Sequence, residues 1–71
     1  MRNLHKVPVQ NNGYKNVIVS ANNADYAEII AIGAGFDVAG NAEPISETQA
    51  SELANSDETY CLAAVMTGLL P

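Results

Sequence analysis

Two short apolar runs open the chain, Val7-Pro8-Val9 and Val17-Ile18-Val19, with Asn11-Asn12-Gly13 between them. Asn-Gly tolerates positive φ at both central positions of a tight turn and is the strongest short-range hairpin signal. Residues 1–20 are therefore predicted to form a β-hairpin. Pro8 has no N–H to give a ladder, which places the first strand at a sheet edge. The competing expectation for this segment is a docking arm that orders on a partner.

Beyond Ser20 the pattern turns helical. Asn23 can cap a helix, and Asp25 and Glu28 sit where the dipole of a helix start favours negative charge. Tyr26, Ile29, Ile30 and Gly33 follow the i, i+3, i+4, i+7 spacing of one helical face, although Ile29-Ile30-Ala31-Ile32 is also short and β-branched enough for a strand. Gly33 and Gly35 close that element, and Phe36 to Pro44 is expected to be a loop or short strand. Ser46-Glu47-Thr48-Gln49 matches the capping box, in which a hydroxyl and an amide satisfy each other's backbone. A helix is predicted from Glu47 to about Asn55. Ser56-Asp57-Glu58 can cap a third helix, with Leu62, Val65, Met66 and Leu69 on its face, but Thr59 to Met66 can equally pair as a strand.

The expected fold class is α+β: an N-terminal hairpin followed by two or three short helices covering one face. At 71 residues the chain has room for one domain, residues 1–71, divided into a hairpin or docking arm (1–20) and an acidic body (21–71). The core is thin. Hydrophobic residues make up 48% of the chain, but eleven are alanine, against one Phe, three Tyr and no Trp. A domain of this size buries only about 60% of its unfolded surface, so docking onto a partner is an expected source of stability.

Charge is distributed unevenly. Arg2, Lys6 and Lys15 are the only basic side chains, and all eight acids follow them, from Asp25 to Glu58. Phosphate affinity comes from Lys and Arg, so direct nucleic-acid binding is not expected. A basic N-terminal segment on an acidic chain instead suggests an interaction tail. Arg2, Leu4, Lys6, Val7, Val9 and Lys15 are accordingly the predicted partner-binding residues: the cations, with His5, orient, and the apolar side chains hold. On that basis residues 1–9 are dispensable for the helices.

Catalytic and cofactor motifs do not assemble. Ile32-Gly33-Ala34-Gly35 starts like a dinucleotide fingerprint, but the third glycine of G-x-G-x-x-G is replaced by Val38. Cys61 lies in an apolar run, where a free cysteine acts as a small hydrophobe, and His5 is its only conceivable base. One His and one Cys make neither a zinc site nor a disulfide. No carboxylate pair or D-x-D-x-D-G calcium loop is present, so no metal, cofactor or enzymatic activity is expected. The longest apolar run, Tyr60 to Leu70, is broken by Thr67-Gly68 and falls short of the ~20 residues that span a bilayer. With no apolar N-terminal stretch and no Asn-x-Ser/Thr, a soluble, reducing compartment is expected rather than secretion.

These features suit a non-catalytic assembly protein, an accessory or cement-type subunit of an oligomeric complex such as a viral capsid. The alternative is a small acidic inhibitor or adaptor that binds a basic, nucleic-acid-binding protein.

Overall fold

The computed structural model describes residues 3–11 and 13–62. The hairpin forms as expected from β1 (Asn3–Asn11) and β2 (Tyr14–Ala21), in antiparallel register with His5 opposite Val19 and Val7 opposite Val17. The register shifts between Pro8 and Asn11, and Gly13 takes φ +83° in the turn. There follow α1 (Ala24–Gly33), the two-residue β3 (Glu43–Pro44), α2 (Glu47–Ala54) and β4 (Thr59–Cys61). The strands make one mixed sheet in the order β3-β1-β2-β4, with β4 parallel to β2. The fold is α+β, with two helices among the described residues.

Both helix starts are capped as their sequences dictate. The Asn23 side chain accepts from the Tyr26 N–H at 2.8 Å. At α2, Ser46 Oγ accepts from the Gln49 N–H at 3.1 Å while Gln49 Oε1 accepts from the Ser46 N–H at 2.9 Å. The end of α1 is equally explicit. The Gly35 N–H donates to the Ile32 carbonyl (3.0 Å) and the Phe36 N–H to that of Ala31 (3.1 Å), the two bonds of a Schellman turn. The left-handed residue this turn needs is Gly35, at φ +96°. We expect Gly35→Val to cost about 2 kcal/mol and lower the melting temperature by about 10 °C, because a β-branched side chain resists positive φ. Gly33→Ala is the matched control. Gly33 lies inside the helix with open space at its Cβ position, so the change should stabilise by about 0.5–1 kcal/mol. Equal thermal shifts for the two variants would refute the turn assignment.

The helices do not share one face, which corrects the expected arrangement. Alternate residues of a strand point to opposite sides of its sheet. Val7, Val9, Val17, Val19 and Ala21 pack with Ala27 and Ala31 of α1, whereas Ile18 packs with Ala50 of α2 and, partly buried, Leu4, Ile45 and Leu53. The sheet is therefore the middle of three layers. Splitting the few large apolar residues between two faces keeps each half of the core thin. The first half ends in an aromatic cluster, where Tyr14 meets Phe36 and Tyr60 edge-on at centroid distances of 6.1 and 5.5 Å.

The chain reaches β4 by passing around the outer edge of β1. From α1 it runs alongside that strand, where the Asp37 carbonyl accepts from the Gln10 N–H (3.1 Å) and the Ala39 N–H donates to Pro8 (2.8 Å). It then pairs Glu43 and Pro44 with Lys6 and His5 and crosses beneath the sheet into α2. Glu28 ties this belt to α1 by accepting from the Ala42 N–H at 3.2 Å. So β1 is not the exposed edge that Pro8 suggested. The Pro8 carbonyl faces outward, and N and O of one extended residue point to the same side, so its missing N–H removes nothing from the hairpin ladder.

Thr59–Cys61 resolves the choice at that position in favour of a strand. The remainder of the expected third helix, with Val65, Met66 and Leu69, lies outside the described residues.

Candidate docking surface

The structure scatters the predicted partner-binding residues. Arg2 lies outside the described residues. Val7 and Val9 are 0% and 4% exposed and belong to the chain's own core, which corrects their assignment to a docking arm. The reason is register: Val7 faces α1 between β2 and the belt, with no edge left open. Leu4 is half-buried against the Ile18 cluster. Lys6 pairs with Glu43 at 2.9 Å and Lys15 with Glu58 at 3.4 Å. Glu43 lies on β3 and Glu58 precedes β4, so the two cations sit towards opposite edges of the sheet and form no common patch. Each pair is surface-exposed and is worth only about 0–1 kcal/mol.

His5 is buried, its Nδ1 2.9 Å from the Asn3 carbonyl oxygen. It shares a sheet face with its partner Val19, whereas Cys61, in register with Ile18, points to the other. The sheet separates the only cysteine from the only histidine. Among the described residues, no three His, Cys, Asp or Glu side chains are grouped to hold a metal ion, and no helix is long and apolar enough to cross a membrane. An open groove of about 480 Å³ lies beside the start of α2, lined by Leu4, Pro44, Ile45, Ser46 and Gln49. Its Ser46 and Gln49 side chains are engaged in capping each other.

The unusual surface is the outer side of α1. Periodicity through Tyr26, Ile29 and Ile30 suggested a core-facing stripe. The helix instead turns Ala27 and Ala31 inward, fully buried, and leaves Tyr26 49%, Ile29 64% and Ile32 59% exposed. Alanines are small enough to let the helix backbone sit close to the sheet. Of the four large side chains of α1, Ile30 packs partly buried against the same core and the other three are left outside. The three exposed side chains form a ridge of on the order of 300 Å² of apolar surface, the scale of the largest and often functional patches on monomeric proteins. Asp25 and Glu28, each four residues before an exposed isoleucine (Ile29 and Ile32), form the neighbouring row along one side of the ridge. The signal was present in the sequence: Ala24, Ala27 and Ala31 are themselves spaced i, i+3, i+7, a second candidate inner face.

Compared with known protein families, with curated proteins and with solved structures, the chain matches none.

Proposed function

We propose that this protein is a non-catalytic accessory subunit that docks on a larger assembly, in the manner of a cement protein on a viral capsid. The observation that carries the proposal is the inversion of α1, which buries alanine and exposes Tyr26, Ile29 and Ile32. Three large apolar side chains turned to solvent add little to the domain's own core. A partner covering the ridge would supply the apolar burial that the thin core lacks, and would stabilise the fold by mass action.

A second reading, an acidic inhibitor or adaptor of a basic protein, is favoured by one observation: residues 16–71 contain every acid and no cation. The two differ in stoichiometry, many copies on a scaffold against one per target.

The test is sedimentation of the tagged chain in an extract of its native source. The wild type is expected with a fast-sedimenting assembly, and the Ile29→Asp/Ile32→Asp variant at its own 7.5 kDa. Both substitutions fall on exposed positions, so the variant should stay folded, with a modest loss of stability from acids at the negative end of the helix dipole. A wild-type chain that sediments alone, or a variant that still travels with the assembly, would refute docking through α1.

A further inference from the structure

We propose that the occupant of the α1 ridge is an amphipathic helix of a partner protein, with an aliphatic stripe bordered by Lys or Arg. This rests on the docking role assigned to α1 and specifies the chemistry of what docks there.

The shape of the ridge points to a helix. Tyr26, Ile29 and Ile32 recur every third residue along a helix about 15 Å long, an i±3 row of the kind that packs into the groove of another helix. The charge points to a basic one. Asp25 lies between Ile29 and Ile32 around the helix axis, and Glu28 borders Ile32 while its carboxylate accepts from Ala42. The last turn of α1 carries no basic residue, so the negative end of its dipole is not offset by a side chain at the Ile32 end. Between residues 16 and 62 there is no cation at all, and Lys6 and Lys15 are already paired with Glu43 and Glu58.

A second copy of this chain is the weaker candidate on the same grounds. Pairing α1 with α1 would bring two acidic, cation-free borders together, and like-charge juxtaposition of that kind selects against a partner. A helix with cations beside its stripe meets Asp25 near the start of the ridge and the negative end of the dipole beyond Ile32.

The experiment uses the full chain and two synthetic helices of about 18 residues (~27 Å) that share one leucine stripe, flanked in one by Lys and in the other by Glu. Binding is followed by amide NMR shifts. The Lys-flanked peptide is expected to move resonances within residues 24–33 and to bind about tenfold more tightly, with the difference shrinking at high salt. Asp25→Lys should narrow the difference several-fold, and Ile29→Asp should abolish binding, with melting curves confirming that both variants fold. Equal affinity for the two peptides, with shifts still on α1, overturns the basic partner and leaves the docking face standing. So does a free chain that dimerises through α1, whereas a chain that binds either peptide only once residues 63–71 are removed overturns both the partner and the face. Shifts confined to α2 and β3, or none with either peptide, overturn both the partner and the face.

Discussion

Removing residues 1–9 is expected to unfold the domain outright, with loss of the cooperative thermal transition and of amide shift dispersion. β1 is the strand on which the rest is assembled. It pairs with β2 along one side, and along the other receives β3 and the belt through Leu4, Pro8 and Gln10. It also contributes Val7 and Val9 to the core beneath α1. A domain of this length has roughly 5 kcal/mol of stability in all. Two buried valines together, with the backbone pairing of a central strand, exceed that by any accounting. The segment that charge alone marks as a detachable arm is thus structural. A truncated chain that still melts cooperatively would show that β2, β4 and the two helices suffice.

The second large effect is expected at Ile18. Its side chain is 1% exposed and, among the described residues, is the one large residue fully buried on the α2 side, where Ala50 and the partly buried Leu4, Ile45 and Leu53 pack with it. Ile18→Ala should cost about 2–4 kcal/mol, at the lower end of the range if α2 settles into the space. The melting temperature should fall by about 10–25 °C. Hydrogen exchange should locate the damage, with amides of α2 losing protection before those of the hairpin. A fall below about 1 kcal/mol, or uniform loss of protection, would mean that α2 is held by something other than Ile18.

The α+β class and the local signals were legible in the sequence, whereas the strand order and the facing of the helices were not. Asn-Gly, the Asn23 cap, the Ser46–Gln49 box and the glycine that ends α1 act within a few residues, and each formed where its chemistry required. The facing of α1 was misjudged for Tyr26 and Ile29, which outweigh Ala27 and Ala31 in any hydrophobic pattern, while Ile30 does pack against the core. The winning consideration was how closely the helix backbone could approach Val7 and Val17, and spacing alone does not carry it. Pro8 misled for a related reason, since a proline is compatible with an interior strand when its nitrogen faces outward. Lys6 and Lys15 are close in sequence, yet the order β3-β1-β2-β4 sends their ion pairs to opposite edges. The exposed ridge became visible only once the buried face was known.

The route around β1 also dictates when the sheet can be completed. The hairpin needs only residues from the first third of the chain, and β-hairpins close within about 1–10 μs. β4 pairs Tyr60 with Val17, and this contact must wait for α1, the belt and α2 to be synthesised and laid in place. Closing a loop of that length costs roughly 3 kcal/mol of chain entropy before any contact repays it. During synthesis the β2 edge therefore stays unpaired until the chain has passed Cys61. Val17, Ile18 and Val19 beside that open edge form the stretch through which nascent chains would associate wrongly, and its period of exposure is set by the rate of translation.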